Sequence, residues 1–372
     1  MGGNGNRRRV QEILALADIR INGDRPWDLH VHNSDFFRRV LTQGALGLGE
    51  SYMEGWWDCD SLDEFFVRAL RAGLENKVPR SASVVASLKA RVFNPQSRRR
   101  SFRVGEHHYD IGNDLFRYML DDLMIYSCGY WKEAASLEDA QVEKLDLICR
   151  KLRLEPGMRI LDVGCGWGGT AKFAAERYQV EVVGVSVSLE QVRTAREACR
   201  GLPVSIHLQD YRSVRGSFDR ILSVGMFEHV GSKNHRTYMR KMAELLREQG
   251  LFLLQTIGSN RTVASINTWI DRYIFPNGAI PSARQITSAI EGLFVLEDWH
   301  SFGSDYDRTL MCWYHNFNES WHLLRDRYGD SFYRMWKYFL LSSAAGFRAR
   351  RDQLWQIVLS RKGIPGGYPV LR

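Results

Sequence analysis

ILDVGCGWGG, residues 160–169, is the stretch that decides the fold of this 372-residue chain. It begins as a buried strand and then runs into four glycines within six residues. The glycines match the spacing Gly164-x-Gly166-x-x-Gly169, in which a turn of bare backbone lets a nucleotide lie close to the chain. Because such a turn joins a parallel strand to a helix, the stretch predicts a nucleotide-binding α/β fold.

The glycine spacing alone is compatible with more than one nucleotide ligand. A dinucleotide-binding fold also needs a carboxylate about 20 residues further on, where it binds the ribose hydroxyls. The segment there reads VVGVSVSLEQ, residues 182–191, and the predicted strand ends near Ser186 without an acid. A dehydrogenase with a nicotinamide dinucleotide is therefore disfavoured, and the rest of the chain has to identify the ligand.

An alternating pattern of strands and helices surrounds the glycine turn. The predicted strands are 158–163, 180–185, 204–209, 218–224 and 251–257, and the predicted helices are 169–178, 188–200 and about 235–248. Repeated strand–helix–strand units form a parallel sheet with helices on both faces. The segment 319–348 is predicted to be helical, and QLWQIVLSR near the C-terminus is predicted to be a late strand.

Residues 1–78 are predicted to form a small, mainly helical domain. Within it, GALGLGESYMEGWW (44–57) has the composition of a glycine-rich loop with aromatic residues. Ser61 and Glu64 have the spacing of a capping box at the start of an apolar helix. Residues 79–100 are predicted to be a linker, and 101–372 the main domain.

Charge and cysteine content limit the classes of protein to which the chain can belong. The net charge of +8 and the pI of about 9.2 favour an anionic partner, either nucleic acid or an acidic lipid surface. The linker ends in the basic run NPQSRRR, which is either solvated or in contact with phospholipid head groups. A nucleic-acid surface would repeat such patches with stacking aromatic residues between them, and this pattern is not found.

The six cysteines form no C-x-x-C pair and no group with histidine, so neither a structural metal nor a disulfide framework is predicted. This usage fits a reducing cytoplasm. The N-terminus MGGNGNRRRV is not followed by an apolar signal region, and no run approaches the ~18 apolar residues that a membrane span needs. Any contact with a membrane is therefore predicted to be peripheral.

Ligands of parallel sheets bind at the carboxyl ends of the strands. There, Asp162 directly precedes the glycine turn, and Asp210 follows the third predicted strand, where it can accept a hydrogen bond from an adenine amino group. The acid two residues before the first glycine, followed later by FDRILSVGMFEH (218–229), resembles a class I S-adenosylmethionine methyltransferase. In such a site the glycines let the backbone approach the methionine and ribose portion of the ligand, and no pyrophosphate has to be bound.

Several longer motifs sharpen this resemblance. They are EHHYDIGNDLF (106–116), YSCGYW (126–131), GMFEHVG (225–231), YIFPNG (273–278) and FRAR (347–350). With the glycine turn they resemble the cyclopropane-fatty-acyl-phospholipid synthases of the mycolic acid cyclopropane synthase superfamily, over nearly the whole chain. The resemblance implies a class I, Rossmann-like α/β fold with a mostly parallel seven-stranded sheet and helical insertions, plus a small helical N-terminal domain.

The resemblance also implies an activity. In this family a methylene group passes from S-adenosylmethionine to the cis double bond of an acyl chain in a membrane phospholipid, and a bound bicarbonate ion removes the proton that closes the cyclopropane ring. A homodimer on the inner face of the cell membrane is implied, with residues 1–78 engaging lipid and forming the dimer. No metal site and no nucleic acid partner are expected.

The family's site residues carry over position by position. The implied bicarbonate and catalytic residues are Cys128, Glu228, Gln255, Ile257 and Tyr306. The implied cofactor residues are Tyr126, Ser127, Asp162, Gly164, Cys165, Gly166, Trp167, Gly168, Gly169, Ser186, Val187, Ser188, Gln191, Gln209 and Asp210. Aromatic residues of YSCGYW, with Phe275 and Tyr306, are candidates to stabilise a carbocation through their ring faces.

Two positions depart from the family pattern. Gln255 stands where the family has histidine, and an amide can donate to an anion but cannot exchange a proton. Ser343 replaces a cysteine of the relatives, which excludes a covalent cysteine mechanism at that position. The first departure keeps open methylation without ring closure, which gives methyl- or methylene-branched chains. A lipid-binding protein without catalysis is the third class of function considered.

Overall fold

The computed structural model of the protein describes residues 2–78, 112–263 and 266–372. The predicted linker 79–100 and most of the motif EHHYDIGNDLF lie outside these residues. The described residues fall into two compact units. Those of the first unit belong to Met1–Phe93, Ala264–Pro276 and Tyr306–Asp352, and those of the second to Asn94–Val263, Asn277–Asp305 and Gln353–Arg372.

The helices and strands follow in chain order. The first are α1 (Gly2–Ala15), β1 (His30–Val31), α2 (Asp35–Gln43), α3 (Ala45–Met53), β2 (Trp57–Asp58) and α4 (Leu62–Arg71). Next come α5 (Asn113–Met119), α6 (Leu137–Lys151), β3 (Arg159–Val163), α7 (Gly169–Tyr178), β4 (Glu181–Ser186), α8 (Leu189–Ala198), β5 (Val204–Leu208), β6 (Phe218–Val224), α9 (His235–Leu245) and β7 (Leu246–Ser259). The last are α10 (Thr268–Tyr273), α11 (Ala283–Ile290), β8 (Val295–Ser301), α12 (Ser304–Glu319), α13 (Trp321–Arg348) and β9 (Asp352–Ser360).

The first unit is built around α13, which packs on α3 and α4. Tyr338 of α13 is buried, and its ring lies 5.6 Å from Tyr52, 5.0 Å from Phe66 and 4.5 Å from Trp269, centroid to centroid. These packing units differ from the predicted ranges 1–78 and 101–372, because α13 buries its aromatic face against the N-terminal helices. Such long-range burial leaves no local sign in the sequence.

The segment predicted as a glycine-rich loop is helical, so that prediction is wrong. Residues Ala45–Met53 form α3, and its glycines allow close packing rather than a turn. A Cβ atom on Gly49 would lie 2.3 Å from the indole of Trp269, and one on Gly47 would lie 2.6 Å from the Arg39 carbonyl oxygen. The small side chains of α3 are therefore explained by its neighbours in the fold.

The starts of helices α4 and α8 differ in their capping. Ser61 precedes α4, but its hydroxyl makes no capping hydrogen bond within the described part of the chain, so the box with Glu64 is wrong. Ser188 does cap α8, since its hydroxyl accepts from the Gln191 backbone N–H. The Gln191 side chain accepts a hydrogen bond from Ser186.

The second unit contains a seven-stranded sheet in the order β5-β4-β3-β6-β7-β9-β8. Strand β3 pairs in parallel with β4 and β6, β4 pairs in parallel with β5, and β6 with β7, whereas β8 and β9 are antiparallel. The predicted mostly parallel sheet is confirmed, and QLWQIVLSR is its strand β9. Helix α9 ends at Leu245, earlier than predicted, because β7 already begins at Leu246.

Both faces of this sheet are buried, as parallel sheets require. Along β7, Leu251 and Leu253 face one hydrophobic core, while Phe252 and Leu254 face the other. The sheet is therefore a rigid layer whose strand ends can hold side chains in fixed positions. None of the helices in the described ranges has both the length and the apolar content to cross a membrane.

We predict that Gly49→Ala destabilises the protein by about 1–3 kcal/mol, because the added methyl group overpacks α3 against the buried Trp269 ring. The midpoint of urea unfolding, followed by tryptophan fluorescence, measures the change. Gly5→Ala in α1 is the matched control, since no atom of the described residues lies within 4 Å of its added Cβ atom. An unchanged midpoint for Gly49→Ala would contradict the packing argument.

Candidate active site

The turn after β3 contains glycines whose backbone conformation residues with side chains rarely adopt. Gly164, Gly166 and Gly168 have φ values of 87°, 52° and 89°, in the left-handed region that favours glycine. The N–H groups of Gly164 and Cys165 donate to the Val185 carbonyl of β4, at 2.9 and 3.1 Å. The turn is therefore anchored to the neighbouring strand at the carboxyl edge of the sheet, where the topology predicts a ligand.

A cavity opens at this edge, and it gathers most of the predicted cofactor residues. Those that line it are Tyr126, Ser127, Asp162, Gly164, Cys165, Gly166, Trp167, Gly169, Ser186, Val187, Gln191, Gln209 and Asp210. Gly168 and Ser188 are not among the lining residues. Gly168 packs on Ala195 of α8, and Ser188 caps that helix, so both support the fold of the cavity wall.

Asp162 is the most unusual group in the cavity. Asp162 is only 2% exposed, and its Oδ2 atom has no hydrogen-bond partner among the described residues. Burial raises the pKa of Asp162 to about 7, against the opposing positive charge of Lys144. A buried acceptor without a donor is costly, so this carboxylate favours a ligand that carries hydroxyl or ammonium donors.

The opposite wall of the cavity is polar and held in place. The Ser186 hydroxyl donates to Gln191 Oε1 at 2.9 Å, at the end of β4 where a dinucleotide fold would carry an acid. Asp210 accepts from the backbone N–H and from the guanidinium of Arg212, both at 2.9 Å. Each carboxylate oxygen has a second lone pair, so Asp210 can still accept from an adenine amino group.

Sequence reasoning missed several lining residues. They are Met124, Ile125, Val163, Thr170, Val185, Tyr211, Arg212, Val224, Gly225, Met226, His229 and Val230. Half of them are direct sequence neighbours of predicted site residues, so their position along the strand ends is the signal that would have found them. Burial lowers the pKa of His229 to about 4, so its imidazole is neutral at physiological pH.

Glu228 lies in a short 3-10 turn after β6 and is buried. Its Oε1 atom accepts from the Ile257 backbone N–H at 2.6 Å, while Oε2 is buried without a hydrogen-bond partner in the described chain. Burial raises the pKa of Glu228 to about 7, although the bond from Ile257 opposes the shift. Two of the predicted catalytic positions are therefore in direct contact.

The other predicted catalytic residues are placed as follows. Gln255 lies opposite Val224 in the β6–β7 register, and its Oε1 atom accepts from Gln356 Nε2 of β9 at 2.9 Å. Cys128 is fully buried, with its Sγ atom 3.1 Å from the Gly129 carbonyl. Tyr306 belongs to the first unit, where its ring stacks on Phe347 at 4.5 Å between centroids. Their joint role in holding an anion stays a prediction.

The parallel sheet, the glycine turn and the cavity with its buried acid define the class I S-adenosylmethionine methyltransferase fold. Solved structures agree with this class. The cyclopropane synthase MmaA2 from Mycobacterium tuberculosis is similar with a TM-score of 0.66 and 30% identity, over 69% of this chain and 97% of that one. The mycolic acid cyclopropane synthase CmaA1, complexed with SAH and CTAB, is similar with the same TM-score and 29% identity, over 69% and 97%.

Curated relatives extend the similarity along the chain. The cyclopropane-fatty-acyl-phospholipid synthase of Escherichia coli K12 is 55% identical over 98% of this chain and 96% of its own length. The tuberculostearic acid methyltransferase UfaA1 of Mycobacterium tuberculosis is 34% identical over 91% and 84%. The sequence model of the mycolic acid cyclopropane synthetase family matches residues 96–357. The chain belongs to this family, and the predicted resemblance and fold class are confirmed.

We predict that Glu228→Gln stabilises the folded protein above pH 7 by about 1–3 kcal/mol, because it removes a buried charge whose pKa is raised. The gain should disappear as pH falls from about 7 to about 4.5, where Glu228 becomes protonated in both the folded and the unfolded chain. Urea unfolding at pH 4.5, 6, 7 and 8 measures it.

The control for this prediction is Glu133→Gln, which makes the same substitution at an exposed position. A stability difference for Glu228→Gln that stays constant from pH 4.5 to pH 8 would contradict the assignment of a raised pKa.

Proposed function

We propose that the protein transfers a methylene group from S-adenosylmethionine to the cis double bond of unsaturated acyl chains in membrane phospholipids, forming a cyclopropane ring. The observation that carries the proposal is the cavity at the glycine turn, where the cofactor residues implied by the family meet a buried acid. The similarity over nearly the whole length of the Escherichia coli cyclopropane-fatty-acyl-phospholipid synthase supports the choice of substrate.

The residues of the cavity fit S-adenosylmethionine. Asp162 offers a buried acceptor, the glycine turn presents bare backbone, and Asp210 lies at the end of the wall formed by β5. When bound, S-adenosylmethionine supplies an electrophilic methyl group. Asp162 orients the ligand through its donors, and the apolar lining of Ile125, Val224 and Met226 limits the access of water.

Ring closure needs a base, because the alkene carbon becomes positively charged after methyl addition and a proton must leave the added methyl group. We assign this role to a bicarbonate ion held by Cys128, Glu228, Gln255, Ile257 and Tyr306. A charged carboxylate would repel a neighbouring anion. With a pKa of about 7, Glu228 can instead be protonated and donate to it.

Gln255 suits this role through its orientation. Gln356 donates to the carbonyl end of the Gln255 amide, so the amino end of Gln255 is the end that can donate to an anion. Unlike histidine, this amide cannot take up the proton released on ring closure. Bicarbonate therefore carries the proton in this protein without help from residue 255.

The substrate requires contact with a bilayer, because the double bond of an acyl chain lies inside it. We infer that the protein binds to the inner, cytoplasmic face of the cell membrane as a homodimer. The net charge of +8 favours anionic lipid, with about 1 kcal/mol for each Lys or Arg close to the surface. In this proposal residues 1–78 engage lipid and form the dimer, and 101–372 carry the catalytic site.

A second function is methylation of the double bond without ring closure, which gives branched chains. Gln255 in place of the family histidine favours it, as does the similarity to a tuberculostearic acid methyltransferase. In that reaction a 1,2-hydride shift would move the positive charge to the carbon that bears the added methyl group. Loss of a proton from that methyl group would then give a methylene branch, whereas addition of a hydride from a reductant would give a methyl branch.

The experiment that separates these functions is incubation of the purified protein with S-adenosylmethionine and vesicles of a phospholipid that carries cis-monounsaturated chains. We predict a lipid heavier by one CH2, with cyclopropane methylene protons in its NMR spectrum. A product with vinyl or methyl-branch signals would favour the second function. Vesicle binding without any change in lipid mass would indicate a lipid-binding protein without catalytic activity.

We also predict that Gln255→His retains activity and changes the dependence of the rate on bicarbonate, because histidine can share the proton that the amide cannot. The measurement is initial rate against added bicarbonate in carbonate-depleted buffer. Gln356→Ala is the companion variant, since it removes the donor that orients Gln255. If bicarbonate affects neither the original protein nor Gln255→His, the bicarbonate base is wrong for this chain.

A further inference from the structure

We propose that Lys144, a buried lysine outside the implied set of cofactor residues, is a positioning residue for the cofactor. Its ammonium group fixes the hydroxyl of Ser127 and balances the charge of Asp162 behind the cavity wall. The inference rests on the proposed function, because it takes S-adenosylmethionine as the ligand of this cavity.

The first support is the hydrogen bonding of α6. Lys144 is 0% exposed, and its Nζ atom lies 3.1 Å from Ser127 Oγ. One helical turn earlier, Gln141 donates to the carbonyl oxygens of Ser127 and Ile125, at 2.9 and 3.4 Å. Helix α6 therefore holds both the backbone and the side chain of this cavity segment.

The direction of these bonds determines what Ser127 offers a ligand. An ammonium group has three donors and no acceptor, so Ser127 Oγ accepts from Lys144. The hydroxyl hydrogen of Ser127, which lines the cavity, is then directed to another acceptor. Without the ammonium group the hydroxyl can rotate, and its donor is no longer preset toward the ligand.

The second support is the balance of charge. Lys144 lies near two buried acids, Asp121 and Asp162. Asp121 is already bonded to the backbone N–H groups of Leu123 and Ile125, whereas Asp162 Oδ2 has no partner in the described residues. When both acids are ionised, one ammonium and two carboxylates leave a single net negative charge. This charge complements the net positive charge of S-adenosylmethionine and not the neutral zwitterion S-adenosylhomocysteine.

The cavity acid depends on this lysine for its ionisation. Burial raises the pKa of Asp162 to about 7, and Lys144 is the group that opposes the rise. Burial likewise lowers the pKa of Lys144 to about 8, against Asp121, Cys128 and Asp162. Among the described residues, the charge of Asp162 also contributes to the raised pKa values of Cys165, Cys199 and Tyr238.

The same helix supplies a matched control. Lys151 of α6 is also 0% exposed, and burial lowers its pKa to about 8 as well. Its Nζ atom lies 3.1 Å from His300 Nδ1 and 3.4 Å from Asp298 Oδ2, and none of these three residues lines the cavity. Lys151→Met therefore measures the general effect of removing a buried ammonium group from α6.

The test is isothermal titration calorimetry of the full chain with S-adenosylmethionine and S-adenosylhomocysteine between pH 5.5 and pH 9. The proteins are the original, Lys144→Met, Lys144→Gln and Lys151→Met, each checked for folding by circular dichroism. Lys144→Gln keeps a donor without the charge and carries the test if the methionine variant does not fold.

In the original protein we expect the affinity for S-adenosylmethionine to fall by up to about tenfold per pH unit below pH 7, as Asp162 takes up a proton. Both Lys144 variants should bind at least about tenfold more weakly at pH 7.5. Their loss of affinity should begin at a higher pH, because the pKa of Asp162 rises without its cationic neighbour. The preference for S-adenosylmethionine over S-adenosylhomocysteine should also change.

Two results would overturn the inference alone. One is an unchanged affinity and pH midpoint in both Lys144 variants while the original protein binds the cofactor. The other is an equal shift of the midpoint in Lys151→Met, which would show a structural effect of any buried lysine in α6. Absence of binding by the original protein would instead overturn the proposed function.

Discussion

The site depends on one constraint, which is a buried carboxylate with an oxygen that has no hydrogen-bond donor within the described part of the chain. Asp162 stands at the end of β3, next to a turn whose backbone admits only glycine with ease. The turn is held by the neighbouring strand through the Val185 carbonyl, and Ser127 is held by helix α6. These contacts keep the carboxylate in a fixed position at the cavity, where a cationic ligand relieves the cost of its burial.

Much of this arrangement was predictable because its causes are local. Short windows of sequence show the glycine spacing, the strands of apolar residues and the helices between them. The parallel sheet could therefore be predicted from these patterns. The carboxyl ends of parallel strands converge at one edge. Residues as distant in sequence as Ser127, Asp162 and Asp210 therefore line one cavity, although nothing in their spacing alone brings them together.

The features that escaped prediction depend on contacts between distant parts of the chain. The glycines of α3 resemble those of a loop until Trp269 is seen against them. The aromatic face of α13 gives no sign that it buries itself against the N-terminal helices. Lys144 resembles an ordinary charged helix residue, because only the fold shows that its ammonium group is enclosed beside two acids. In each case the contacting residue is remote in sequence, and the residues around the position give no indication of that contact.

The amide pair between β7 and β9 has an evolutionary consequence. Gln255 is oriented by Gln356, which lies on a different strand 101 positions later in the chain. The effect of a substitution at one position therefore depends on the residue present at the other. It also depends on the order in which the two substitutions occur. We expect the two positions to covary among relatives, so that a change of the residue at 255 is accompanied by a change at 356 that restores a hydrogen-bond partner.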